Sequence, residues 1–172
     1  DAMGGGWSGT TSVKNIAIGN SAMDAIMDGA NDNVGIGNKA LTGLTEGDSN
    51  VAIGNDSMEL VTTASKNIAI GQSALGTHLT GEQNVAIGHN AMSDTDAGTT
   101  SQASKNNIFI GYHSAAGTWA NAASQRNTAL GAYTMNAVVN GALDNTCIGY
   151  SAGNAMTSGD NNTLVGLSLI HI

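Results

Sequence analysis

The chain has 172 residues, 24 glycines, no proline, a single cysteine and a formal charge of −8. Aromatic residues make up 3% and charged residues 10% of the chain, which excludes the thick aromatic-filled core of an ordinary enzyme and a basic face for nucleic acid. One cysteine excludes an internal disulfide framework and a cysteine-rich zinc site.

The hydrophobic fraction of 41% is too high for a disordered chain. Many glycines with few aromatics suggest short turns around a slim aliphatic interior. Lys14, Lys39, Lys66, Lys105 and Arg126 are dispersed, so nucleic acid is not an expected partner. No stretch approaches the roughly 18 apolar residues of a membrane span, so no membrane insertion is expected of this segment.

Residues 1–14 are read as the flank of a truncated fragment, because the chain opens on Asp1 rather than Met. A pentapeptide, N-h-A-I-G, then recurs, beginning at Asn15, Asn33, Asn50, Asn67, Asn84, Asn107, Asn127, Asn145 and Asn162. The steps are 18, 17, 17, 17, 23, 20, 18 and 17 residues. After each Gly come two variable residues, a small residue and usually Leu or Met, as in Ala22-Met23, Ala40-Leu41 and Ser57-Met58. Residues 15–166 are therefore one repeat domain. The last six, Leu167 to Ile172, spell one reading frame of a common sequencing adapter and are expected to be a non-native tail.

The slots of the repeat predict a strand and a turn. The first slot is β-branched in every copy, from Ile16 to Thr163, which favours a strand. The fourth position, from Ile18 to Val165, is always Ile, Leu or Val and shares a face with the first. The invariant Gly suits positive φ or a close backbone approach. The leading Asn suits a bend and an amide ladder from copy to copy. A strand of about four residues, a turn, a shorter strand and a second turn make one coil, and nine stacked coils make a parallel β-solenoid roughly 40 Å long. The connectors 93–106 and 112–126 are expected to be insertions at one corner.

The slot between the two branched residues holds Ala17, Gly35, Ala52, Ala69, Ala86, Phe109, Ala129, Cys147 and Leu164. A strand apolar on both faces can turn only one of them inward. The small-residue face is expected to point outward, as bland alanine or as contact with another subunit. Thr128, Thr146 and Thr163 then face the interior, where a hydroxyl needs a partner.

The strings NIAIGNSAM, NVAIGNDSM, NIAIGQSAL and NVAIGHNAM resemble the head repeats of trimeric autotransporter adhesins, the YadA-like family. They are similar as well to the NTAIGxxAL repeats of phage tail fibres. The resemblance covers Asn15 to Gly166. It implies a trimerised, left-handed β-roll at the cell surface or on a virion, attaching to a host glycan or protein receptor. The adhesin heads have a shorter period than the dominant 17 here, and no stalk, anchor or self-cleaving chaperone sequence is found in this chain.

Other motifs dissolve into the repeat. Gly149-Tyr150-Ser151-Ala152-Gly153 imitates a nucleophile elbow, and Gly35-Ile36-Gly37-Asn38-Lys39-Ala40 a dinucleotide fingerprint, but neither precedes a helix pattern. Asp48, Asp94, Asp96 and Asp160 are read as solvated turn residues rather than calcium ligands. His78, His89, His113 and His171 are read as surface residues, and Cys147 as a packed thiol. No catalytic residue, cofactor or metal site is assigned. The scarce aromatics carry the candidate receptor contacts: Trp119, Tyr112, His113, Tyr133 and Tyr150, with packing under the longer loop as the competing reading of Trp119.

The expectation is an all-β, trimeric solenoid segment of an extracellular attachment fibre, and not an enzyme. A hexapeptide enzyme fails on rhythm, because Asp24 follows Ile18 and Glu59 follows Ile53 at the sixth position. An ice-binding solenoid remains as an alternative through Thr128, Thr146 and Thr163.

Overall fold

A computed structural model describes Met3 and residues 11–94, 104–119, 122–137 and 140–168. Nine strands lie in one parallel sheet in chain order: β1 Ile16–Ile18, β2 Val34–Ile36, β3 Val51–Ile53, β4 Ile68–Ile70, β5 Val85–Ile87, β6 Ile108–Ile110, β7 Thr128–Leu130, β8 Thr146–Ile148 and β9 Thr163–Val165. Each strand pairs with the next without a register slip, so Ile16 meets Val34 and Ile18 meets Ile36, and so on to β9. The fold is a β-solenoid with one rung per repeat.

Each strand is three residues, shorter than the sequence suggests. The expected second strand shrinks, among the described residues, to single bridges linking Lys105, Gln125, Leu143 and Asp160. The rest of each coil is turn. Besides the invariant Gly, a typical coil holds three residues at positive φ: the one before Asn, the second after Gly, and the Leu/Met slot, as in Lys66 (61°), Ser73 (54°) and Leu75 (50°). No pair of long strands can form between such bends.

The leading Asn residues form the expected ladder. The side-chain amide of Asn50 donates to Asn33 Oδ1 at 3.0 Å and to the Ala64 carbonyl at 2.8 Å. Its own oxygen accepts from the backbone N–H of Asn67 at 3.1 Å and from the Asn67 amide at 3.4 Å. Equivalent links run through Asn84, Asn107, Asn127 and Asn145 to Asn162. Asn33 through Asn145 are fully buried, where an unmade hydrogen bond is costly.

The two faces of the strand are the reverse of the expectation. The middle slot points inward: Ala52, Ala69, Ala86, Phe109, Ala129 and Cys147 are fully buried. The flanking residues point out, and none is buried on any of the nine strands. The physical reason is cross-section. The interior is already filled by the Leu/Met slot and by a third column, Met27, Leu44, Val61 and Met156, leaving room for little more than a methyl group. The Thr puzzle also resolves, since Thr128, Thr146 and Thr163 are not enclosed.

Compensation within a coil confirms how tight the core is. Where Phe109 takes the small slot, Ala115 takes the Leu/Met slot. Where Cys147 takes it, Gly153 does the same, and a Cβ there would lie 2.8 Å from Cys147 Sγ. The invariant Gly is fixed by both causes foreseen for it. Gly71 sits at φ 130°, and a Cβ on it would lie 2.5 Å from the carbonyl oxygen of Gly88 in the next coil.

The preference for Leu and Met now has a cause. Met23, Leu41, Met58, Leu75, Met92 and Met135 all lie at φ between 44° and 54°. A side chain branched at Cβ is strongly disfavoured there. Leu75→Ile, ordinarily mild, is expected to cost about 2 kcal/mol or more, whereas Leu75→Met costs less than about 1 kcal/mol. Urea unfolding of the two variants checks this; equal costs would refute it. Asn67→Ala strips the Asn84 amides of an acceptor and the Gly81 carbonyl of a donor. It is expected to lose roughly 3 kcal/mol or more in the same measurement.

Candidate functional site

Two surface features stand out from the turn-rich background. The first is the outward face of the sheet. Register stacks its residues into two columns: Ile16, Val34, Val51, Ile68, Val85, Ile108 and then three Thr in one, and Ile18, Ile36, Ile53, Ile70, Ile87, Ile110, Leu130, Ile148 and Val165 in the other. Charge is absent from both. At the usual strand separation the face is roughly 40 Å long and only two side chains wide. Ile18 is 58% and Ile53 37% exposed. An apolar strip of this length is more than a monomer's surface usually carries. The outward face was expected to be the alanine side instead. The signal was present, because both slots stay aliphatic or Thr in all nine copies.

The second feature borders that face. The two residues after the invariant Gly turn the corner out of each strand. In the first four coils they are polar, and Asn20 donates to Asn38 across adjacent coils at 3.2 Å. In coils five to eight the corner turns aromatic. His89 stacks on Tyr112 at 5.3 Å between ring centroids, Tyr112 meets Tyr133 edge-on at 5.4 Å, and Tyr133 meets Tyr150 edge-on at 5.8 Å. His113 lies 4.4 Å from Tyr112 and 5.7 Å from Tyr133, and its Nε2 is 3.3 Å from the Asn90 amide. Four of the five predicted contacts, Tyr112, His113, Tyr133 and Tyr150, thus form one strip. His89, which fills the same variable pair, joins the strip although it was not among the predicted contacts.

Trp119 does not belong to the strip. It is fully buried and packs edge-on against Phe109 at 5.6 Å. The packing reading of this residue is the correct one, since a ring without exposed surface cannot touch a receptor. The bulk of Phe109 in an alanine slot, with Ala115 beside it, gives the indole its place in the core.

The ionisable groups follow their surroundings. Burial, then the charge on His89, lowers the pKa of His113. Loss of water and the neighbouring Tyr112 raise that of Tyr133. Burial pushes the Cys147 thiol up to about 11, so it is an unionised packing group. Asp48, Asp94 and Asp160 accept hydrogen bonds from the Asn31 N–H, the Thr118 hydroxyl and the Leu143 N–H, which pins successive turns together. Asp96 and His171 lie outside the described residues. Among the described residues no group of three metal-ligating side chains comes together. Ser151, the serine of the elbow-like motif, is buried within its turn. No helix among the described residues is long and apolar enough to cross a membrane.

His78 corrects the surface reading of the histidines. It occupies the same core column as Leu44 and Val61 and is fully buried. The Asn84 amide lies 3.2 Å from its Nε2, so the ladder is joined to the ring. Burial lowers its pKa to about 4, partly opposed by a hydrogen bond to the Gly81 backbone.

Comparison with known proteins finds no matching family model, no matching curated protein and no matching solved structure.

The buried imidazole makes stability depend on pH. Its folded pKa lies below the unfolded value, so the unfolded chain binds the proton more readily. Stability is full above about pH 6.5 and falls with acidification, by roughly 3 kcal/mol at pH 4. His113 adds a smaller change of the same sign. His78→Leu is expected to flatten most of this slope in unfolding curves taken between those pH values. An unchanged slope would show that the acid sensitivity lies elsewhere.

Proposed function

We propose that this chain is a structural and binding segment of an extracellular attachment fibre, working as a homotrimer without catalysis. The observation that carries this reading is the charge-free outward face of the sheet, aliphatic in both columns through β6 and in one column, beside three Thr, to β9, with none of its residues buried. Left in water, such a face loses the hydrophobic free energy that burial of Ile and Val side chains supplies, about 25 cal/mol per Å². Its narrowness suits closure around a threefold axis, where two columns per copy can each meet a neighbour. The rungs of three parallel copies would then stand level, and the corner strip would border each seam. The resemblance of the N-h-A-I-G repeat to trimeric adhesin heads and tail fibres supports the same reading.

The mechanism is mechanical and multivalent. A ladder-bonded rod supplies stiffness and reach, and three copies of the corner contacts combine weak binding into avidity. The natural setting is the bacterial outer surface or a virion tail fibre, and the receptor a glycan or protein of the host. Light scattering of the purified chain is expected to give three times the monomer mass. Ile53→Glu combined with Ile70→Glu should yield monomers that keep their β-rich circular dichroism. A parent chain that is monomeric at all concentrations, or a trimer indifferent to the two charges, would sink the proposal.

One observation favours ice binding as a second reading. Thr128, Thr146 and Thr163 stand in register on the outward face, in the column beside Leu130, Ile148 and Val165. Thermal hysteresis of the purified chain would support it; its absence leaves the fibre reading alone.

A further inference from the structure

The aromatic corner permits a statement about the ligand, and the inference rests on the attachment reading above. We infer that His89, Tyr112, Tyr133 and Tyr150, with Asn90 and His113 beside them, bind an extended, uncharged, β-linked glycan laid along the solenoid axis.

Placement comes first. All three tyrosines of the chain fall on this corner, on three consecutive coils. Tyr112 is 47% and Tyr150 53% exposed, so they add surface and little core. Tyr133 and His113 hold φ of 58° and 51°, a conformation that disfavours bulky side chains and that Ser fills in other coils. Core packing therefore does not account for rings at these positions.

Spacing comes second. Tyr112 and Tyr150 occupy the same slot two coils apart, about 10 Å along the axis at the usual strand separation. That distance is close to the two-sugar repeat of an extended β-linked chain such as cellulose or chitin. One coil then serves one sugar, and the strip spans about four. Sugar rings present flat C–H faces to aromatic rings and hydroxyls to polar neighbours. The Asn90 amide and the His113 ring, 3.3 Å apart and bonded to one another, form a polar border beside the rings.

Charge and shape narrow the class. No Lys, Arg, Asp or Glu occupies the variable pair in coils five to eight, whereas Lys39 and Asp56 occupy it in coils two and three. An anionic glycan finds no cation here and meets a chain of net charge −8. A proline-rich peptide needs grooves between aromatic rings. The edge contacts of Tyr133 with Tyr112 and Tyr150 fill the gaps between these rings.

The test uses the intact purified chain near pH 7. Its retention on insoluble chitin and cellulose is measured, together with calorimetric titration of N-acetylchitohexaose and cellohexaose. Heparin and a proline-rich peptide serve as comparison ligands. Binding to at least one neutral glycan is expected, weakened about tenfold or more in Tyr112→Ala with Tyr150→Ala. The paired Asn20→Ala and Asn38→Ala changes, at the polar end of the same corner, should leave it unaltered. No binding to either glycan, binding confined to heparin or the peptide, or full binding by the tyrosine double variant would overturn the inference. Light scattering and thermal unfolding on the same samples separate the failures. A non-binding trimer removes the ligand assignment alone, whereas a glycan-binding monomer removes the fibre assembly alone.

Discussion

The amide ladder is the constraint on which the other features hang. Asn50 gives two hydrogen bonds through its amide, one of them to Asn33, and receives two through its oxygen, both from Asn67. Aspartate lacks the donor, serine lacks the reach, and glutamine adds a methylene to a packed column. Once these side chains stand above one another, register is no longer free. The paired strands must align residue on residue, the Gly after each strand must pass close under the next carbonyl, and every slot becomes a column.

Columns set the distribution of apolar mass. The interior of a coil with three-residue strands is thin, so it accepts methyl groups from one column and side chains unbranched at Cβ from another. Phe109 enters only where Ala115 yields, and Trp119 fills the adjoining space. The larger branched residues are displaced to the outside, where a globular domain would not leave them. The outward apolar face therefore follows from the narrowness of the core.

Much of the architecture was legible from repetition. Nine copies of Asn and Gly at near-constant spacing mark the rungs, and the Asn ladder and parallel stacking follow from them. The direction of the faces was not legible, because an alternation of Ile-Ala-Ile is apolar on either side and burial depends on the width of the coil. His78 was hidden because its repeat places it at the variable turn, where the aligned Leu44 and Val61 gave the only hint of a core column. Tyr112, His113, Tyr133 and Tyr150 could be singled out by scarcity, yet scarcity also drew in Trp119, whose burial depends on Phe109 ten residues earlier. The handedness of the φ values behind the Leu/Met slot leaves a trace in sequence only as an avoidance of Ile and Val.

The orientation of the bonds has a mechanical consequence. The covalent chain winds around the rod, while the backbone and amide hydrogen bonds between coils run along it. Tension applied to the two ends of one chain thus meets a single turn's worth of bonds at a time. Extension proceeds by peeling, one coil after another, with each 17-residue turn releasing about 60 Å of contour. A rod wound this way lengthens coil by coil under load rather than parting at one point.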